Sequence, residues 1–538
     1  MYELVATLVI LGLAIVAFAT NRLPLAIVSC GVALALFGAG VLTLTEALAG
    51  FGDPTPVFIA TLFIVSEALD QSGVTAWAAR RVTGLAGTRR GRITVVVSLM
   101  VAVLTAFISI NGAVAALLPI VVVVAVKAGV APSKLLIPLA FAAHAGSLLT
   151  LTGTPVNVIV SDAAVAAGGR AFGFFEFALV GLPLLALTVA IVVAFGGRLL
   201  PDRRGRTLDL ATDPGEHAVR LRESYDVSID TGTMFTSDAG VVEVVIPPRS
   251  VYIGRRVYPG MTTVREDLVI LSVRSSARSS SGSERASAEE PGSDPAAGRG
   301  WTLRAGDAVL VQGPWDALER YVSQPDVVAV TAPRSLRRGI PLGHGARRAL
   351  TILLAMVVLL ATGLVPPVVA GMLAAGALVL TRVVSIGDAF RSVQWSTVVL
   401  IAGMIPLATT FVKTGAAELI ADGMLATVGA TDPHLVLLAL CVLTVLLGQV
   451  TSNVATVLVM LPIATSLAAT LDVSVQPFMM ALTVAGAAAF FTPIATPVNT
   501  MVVDPGGYRF GDYWRLGLPL TIVWLAAAVL YVPLIWPF

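Results

Sequence analysis

Long apolar runs, separated by short polar punctuation, dominate the chain. In the first two hundred residues they lie near 3–20, 24–42, 55–79, 93–127, 135–165 and 175–199. One membrane span needs about 20 apolar residues. The run at 93–127 is too long for a single helix and is interrupted at Ser109-Ile110-Asn111-Gly112. It predicts two half-helices in a re-entrant hairpin that enters and leaves on one side. The run at 135–165 is interrupted as well, at Thr152-Gly153-Thr154-Pro155-Val156-Asn157. A hairpin that does not cross leaves five crossings in this unit.

The pattern then repeats. VFIATLFIVSEALDQSGVTAWAA (57–79) matches VLIAGMIPLATTFVKTGAAELIA (399–421), with Gly73 and Gly415 lying 342 residues apart (415 − 73). Pro24 and Pro366, Asn157 and Asn499, and Asp162 and Asp504 share that offset, with a local slip around Asn111 and Asn453, after which the Leu-Pro pairs (118–119 and 461–462) lie 343 apart. The units are 1–200 and 343–538, the second with its own hairpin at 434–468. Five is an odd number, so the second copy is inverted. The expected fold is an all-α polytopic membrane protein of two inverted repeats, each five transmembrane helices plus a re-entrant hairpin.

Composition agrees. Of 538 residues 56% are hydrophobic and 13% charged, against about 25% charged in soluble domains. Mean hydropathy is +0.88. A net charge of +2 implies no nucleic acid. Cys30 and Cys441 are isolated in apolar runs, which excludes a disulfide framework or metal knuckle. The first segment lacks a basic leader and reads as a membrane helix.

Charge placement orients the chain. With both termini outside, Arg80, Arg81, Arg89, Arg90, Arg92, Lys127, Lys134, Arg198, Arg203, Arg204 and Arg206 fall in the cytoplasm. So do Arg337, Arg338, Arg347, Arg348, Arg382, Arg391, Arg509 and Arg515. The outer loops near 43–54 and 422–434 carry acids and neither Lys nor Arg, and Arg170 is the main stray. The expected location is the cell inner (plasma) membrane.

Residues 205–336 turn soluble. VVEVVIPPRSVYIGRRV (241–257) and DLVILSVR (267–274) read as strands, and 301–322 as a Gly-Asp turn, a strand and a closing helix. The Ser/Gly/Pro-rich stretch 275–300 reads as disordered. A small α+β cytoplasmic domain is expected here.

The breaks carry the chemistry. A helix interrupted at mid-depth is tolerated where the backbone lines a cavity, and paired interruptions in two repeats point to a transport site. There are four: the tips SINGA (109–113) and TSNVAT (451–456), and the broken helices LTGTPVN (151–157) and TPIATPVN (492–499). A single break reads equally well as a kink; four paired ones with small polar residues do not. Half-helix N-termini suit an anion, and unwound carbonyls with Asn, Ser or Thr oxygens suit a hard cation. Glu67 and Asp70, in the third helix, read as functional or as interfacial. His144, opposite Gly486, reads as a packed, satisfied histidine. Asp162 and Asp504 read as helix anchors. No catalytic triad, zinc or phosphate-loop pattern suggests an enzyme, and no TVGYG filter suggests a channel.

The Ser452-Asn453 tip, the Leu-Pro pairs after both tips (118–119 and 461–462) and the GTPVN and ATPVN breaks resemble the divalent anion:sodium symporter (DASS) family. The inserted VVEVVIPPRSVYIGRRV and LRAGDAVLVQG resemble the RCK-C (TrkA-C) ligand-binding domain. The first resemblance implies elevator-type anion transport coupled to two sodium ions, a proton being the alternative, with no organic cofactor. It implies a homodimer, and the inserted domain a small regulatory ligand. The first sodium site would use Ile110, Asn111 and Gly153, and the second Gly448, Thr451, Ser452, Asn453 and Ala495. Substrate would meet Asn111, Gly112, Thr154, Pro155, Asn157, Asn453, Val454, Thr496, Pro497 and Asn499. Where the family has Ser-Asn-Thr at its tips, this chain has Gly112 and Val454 for the threonines and Ile110 for the first serine. Two hydroxyl donors are lost, each worth about 0.5–1.5 kcal/mol. A sulfate-like oxyanion thus stands beside di- and tricarboxylates as substrate. An arsenite or oxyanion exporter of the same superfamily and a ligand-gated ion channel are the alternative readings.

Overall fold

The computed structural model describes residues 1–538 except 21, 76, 79–80, 82–86, 88, 204–220, 222–224, 226–233, 237–238, 264–265, 275–299, 332, 334–335, 337–344 and 429–431. The chain divides into two compact units. One comprises Met1–Leu69, Ala78–Leu208 and Arg347–Phe538; the other comprises Asp70–Trp77 and Asp209–Ala346.

The first unit is helical. Among the described residues six helices are long and apolar enough to cross a membrane: Tyr2–Thr20, Leu44–Gln71, Ile110–Lys127, Ala178–Leu199, Asn453–Thr470 and Phe510–Ile535. A seventh candidate is the pair Ile386–Ser392 and Trp395–Phe411, bent by 56°. Shorter apolar helices stand at Leu25–Gly38, Pro155–Ala166, Pro367–Leu380, Pro433–Gly448 and Val475–Ala487. Leu13, Val16, Leu182, Leu446 and Leu530 are exposed on these helices, as side chains facing hydrocarbon would be.

The elements recur at the offset found in the sequence. Leu25–Gly38 maps end to end on Pro367–Leu380, and each follows a proline cap, Pro24 and Pro366. Contacts recur too. Gly403 lies where a methyl group would stand 2.9 Å from Ser29, and Gly371 where it would stand 2.2 Å from the Thr61 hydroxyl. Ser29 is 342 residues before Gly371, and Thr61 is 342 before Gly403, so one close helix crossing is made twice with the repeats exchanged. Glycine is needed at both crossings because no Cβ fits.

The second unit carries a sheet. Strands β1 (Ala239–Val245), β3 (Val269–Arg274), β5 (Ala308–Pro314) and β6 (Val328–Ala329) pair antiparallel in the order β3-β5-β1-β6. A small second sheet joins β2 (Arg256–Val257) to β4 (Trp301–Thr302). Helix Trp315–Val322 covers a core with Val242, Val244, Val311, Trp315, Leu318 and Tyr321. The central strands are buried on both faces, with Val242, Val244 and Val311 toward the helix and Val241 and Leu310 in a second cluster with Met234. Glu243, buried on β1, is satisfied by the Tyr225 hydroxyl at 2.6 Å and by Arg274 at 3.1 Å. The excursion expected at 275–300 lies outside the described residues, Gly300 apart.

Candidate transport site

Each predicted interruption is a real one. Helices Arg90–Thr105 and Ile110–Lys127 enclose the first tip, and Pro433–Gly448 and Asn453–Thr470 the second. A serine caps each tip helix, because its short side chain reaches the free N–H groups of the first turn. Ser109 Oγ accepts the Gly112 N–H at 3.2 Å and Ser452 Oγ accepts the Ala455 N–H at 3.2 Å. The Ser109 N–H donates in turn to Ser66 Oγ at 3.0 Å.

The tips are one residue out of register. The tip helices lie 343 residues apart at both ends, as do Pro119 and Pro462, whereas Asn111 and Asn453 lie 342 apart. Asn453 therefore takes the first helical position and Asn111 the second, so Ile110 is the helical counterpart of Asn453. Gly112 and Val454 follow their asparagines within the first turn. The Asn453 Oδ1 is buried without a hydrogen-bond partner. Thr451 is buried beside it, donates to the Leu447 carbonyl at 2.9 Å and pairs with Thr456. Gly448 ends the preceding helix.

The broken helices are Leu136–Gly146 with Pro155–Ala166, and Val475–Ala487 with Pro497–Met501. Pro155 and Pro497 open their half-helices, where a missing N–H costs nothing. Thr154 and Thr496 occupy the caps, and Thr496 Oγ1 accepts the Asn499 N–H at 3.3 Å. Gly153 and Ala495 are buried within the breaks. The Asn157 amide donates to the Ser147 and Thr150 carbonyls at 3.0 and 2.8 Å. The Asn499 amide donates to the Ala489 and Thr492 carbonyls at 2.7 and 3.0 Å. Every partner matches under the 342 offset. These asparagines, expected against substrate, spend both donors on holding the unwound backbone; the Oδ1 of each is buried and unpartnered.

Sequence reasoning missed what ties breaks to tips. The Thr150 hydroxyl donates to the Ala106 carbonyl at the first tip, and Thr492 to the Gln449 carbonyl at 3.1 Å at the second. The signal was available, since Thr150 and Thr492 share the offset. Gln449 adds three bonds of its own: to the Val445 and Ala488 carbonyls at 3.0 and 3.2 Å, and from the Phe491 N–H at 3.0 Å. Its helical counterpart is Ala106, which has no such group.

The repeats then exchange partners. Pro497–Met501 packs on Ile110–Lys127, and Pro155–Ala166 packs on Asn453–Thr470. Each broken helix is thus bonded to its own tip and packed on the other repeat's tip helix. This crossing brings all four interruptions into one assembly. A separate cavity of about 650 Å³ lies between Pro155–Ala166, Trp395–Thr414 and Asn453–Thr470, with Asp53, Thr55 and Asp162 in its wall. Asp162 Oδ2 accepts the Thr55 hydroxyl at 2.8 Å, and Asp53 Oδ1 accepts the Thr55 N–H at 2.8 Å. The tip asparagines are not among its lining residues.

The citrate transporter (CitMHS) family profile matches residues 15–485 and 425–538. The chain belongs to this family. This citrate-transporter-family chain is 30% identical over 621 residues, covering 100% of both proteins, to the uncharacterized transporter YfbS of Escherichia coli (strain K12). It is 30% identical over 142 residues to the Na(+)/citrate cotransporter of Rattus norvegicus, covering 26% of this chain and 25% of that one. The solved YdaH transporter of Alcanivorax borkumensis aligns over 98% of both chains at 13% identity, with a TM-score of 0.47. The family and the apolar helices together make this a multi-pass membrane transporter, as its resemblance to the divalent anion:sodium symporters implied.

Proposed function

We propose that the chain is a sodium-coupled secondary transporter of a small multivalent anion, a di- or tricarboxylate or a sulfate-like oxyanion, working by an elevator motion. The observation that carries this reading is the crossed packing of the two broken helices on the two tip helices. It gathers four half-helix ends into one assembly that can move as a body. None of the tip and break residues is Lys or Arg, so an anion here would be balanced by helix N-termini and co-bound cations.

The second sodium position fits best. Asn453 Oδ1 is a buried acceptor with no partner, and such an atom is costly unless a cation or donor meets it. Gly448, Thr451 and Ser452 flank Asn453 in sequence, Ala495 lies in the second break, and together they offer the carbonyl and hydroxyl oxygens sodium favours. The first position, around Ile110, Asn111 and Gly153, has no equivalent orphaned tip oxygen among the described residues. A family named for citrate, and a relative named as a Na(+)/citrate cotransporter, support anion and sodium together.

The two repeats, related by the offset, act as inverted halves whose exchange gives outward- and inward-facing states. The first two helices of each repeat serve as scaffold, with both termini outside and the sheet unit in the cytoplasm. Two copies form the working homodimer. The RCK-C-like sheet unit binds a small ligand that shifts the transport equilibrium.

The test is uptake into proteoliposomes under imposed sodium or pH gradients, with citrate, succinate, sulfate and phosphate offered. A sodium gradient is expected to drive at least one of them. A folded protein that moves none under either gradient overturns the reading.

A further inference from the structure

We propose that His144 is a positioning residue that turns Thr496 into a hydrogen-bond donor toward the transported anion. The inference rests on the transport reading above and names a determinant of that same site. His144 is 1% exposed near the end of the half-helix Leu136–Gly146 in the first repeat. Its ring stands edge-on to Phe490, and its Nε2 lies 3.4 Å from Thr496 Oγ1, the cap of the second repeat's break. One imidazole thus reaches from the first broken helix to the second.

Hydrogen counting assigns the roles. A neutral imidazole has one N–H and one acceptor nitrogen. His144 Nδ1 is buried without a partner. The groups acting on the ring from the second break are the Thr496 hydroxyl and the Asn499 carboxamide. Asn499 Oδ1 has no hydrogen-bond partner of its own. Nδ1 is unmet in either tautomer, and a buried orphaned N–H is the rarer of the two orphans, so the N–H belongs on Nε2, which faces the Thr496 oxygen. Thr496 Oγ1 already accepts the Asn499 N–H. A hydroxyl offers two acceptor sites and one hydrogen. With both acceptor sites taken by the protein, its single hydrogen is left to point at a ligand oxygen.

The device exists on one side only. The position opposite His144 is Gly486, where a Cβ would stand 2.5 Å from Val457. No side chain fits there to act on Thr154. His144 and Thr496 therefore replace, at the second break, one of the donors missing from the tips at Gly112 and Val454. The ligand class is an anion with acceptor oxygens, a carboxylate or a sulfate.

The test measures citrate and sulfate uptake by the full chain in proteoliposomes. His144→Leu and His144→Asn remove the donor at Nε2 and should raise KM for the transported anion about fivefold to tenfold, with the sodium half-saturation unchanged. His144→Gln carries an amide N–H to the same place and should hold KM within about twofold. If the Leu variant does not fold, the polar Asn variant still decides. Wild-type KM in the variants lacking the donor, or a Gln variant as impaired as they are, overturns the role of His144. A wild-type protein that moves neither anion overturns the transport reading instead.

Discussion

Among the described residues of the first repeat, a single side-chain bond, from the Thr150 hydroxyl to the Ala106 carbonyl, ties the break to its tip. In the second, Thr492 makes the same bond, and Gln449 adds a donor to each side of the joint and an acceptor for Phe491. Elsewhere the two regions are near copies, down to the carbonyls that Asn157 and Asn499 hold. The duplication preserved what keeps an unwound backbone satisfied inside a membrane, where each unmet polar group is expensive. Other features diverged: the tip asparagines are out of register, Gln449 stands opposite Ala106, and His144 stands opposite a glycine. The symmetric part is the asparagine clamps and the threonine ties, and the asymmetric part is the tip register, the Gln449 joint and His144.

The clamps should show the largest effect and the greatest equality. Asn157→Leu or Asn499→Leu leaves two buried carbonyls without donors, at about 1–3 kcal/mol each. Thermal unfolding in detergent should fall by comparable amounts in both variants, and little folded protein should survive extraction. A much milder loss for Asn499→Leu would mean that Gln449 holds the second break by itself.

Gln449→Ala tests the added joint. Three buried hydrogen bonds disappear, for roughly 2–4 kcal/mol in total. The unfolding midpoint should drop well below wild type, with uptake reduced. Since the counterpart is already Ala106, a stability equal to wild type would show the joint to be redundant.

The scaffold crossings come next. Gly371→Ala drives a methyl group to 2.2 Å from the Thr61 hydroxyl, and Gly403→Ala to 2.9 Å from Ser29. Overpacking of this kind costs about 1–3 kcal/mol. Gly371→Ala should be the worse of the two in the same unfolding assay. The reverse order would mean that the two crossings relax differently despite their matching residues.

Much of this architecture was legible in the chain. The runs 3–20 and 135–165, the fixed offset and the breaks at Thr154-Pro155 and Thr496-Pro497 emerge as a helix at Tyr2–Thr20 and broken helices where expected. Hydrophobic run length and proline report on local structure, which sequence carries directly. The register slip was legible in part, because the Leu-Pro pairs lie 343 apart while the asparagines lie 342 apart. The clamp role of Asn157 and Asn499 was not: a sequence shows an amide in a break but not which carbonyls its N–H groups reach. Nor could the meeting of His144 with Thr496 be read, since it depends on how two broken helices 352 residues apart pack together.

The smallest effect is also the sharpest test of inequality at the tips. Asn453 Oδ1 is buried and unpartnered at the first helical position, whereas Asn111, half-buried as Asn453 is, stands one position further along and has no such orphaned oxygen among the described residues. If an ion at the second tip uses that oxygen, Asn453→Ala removes one ligand and should raise the sodium half-saturation of uptake about tenfold, near 1.4 kcal/mol. Asn111→Ala should change it by no more than about threefold, because its side chain is offset from the place its partner occupies. Serine at 453 should recover part of the loss by restoring a hydroxyl oxygen, though from a shorter side chain. Equal responses at 111 and 453 would show that a one-residue slip does not separate the two cation positions. The asymmetry would then reside in the joints alone.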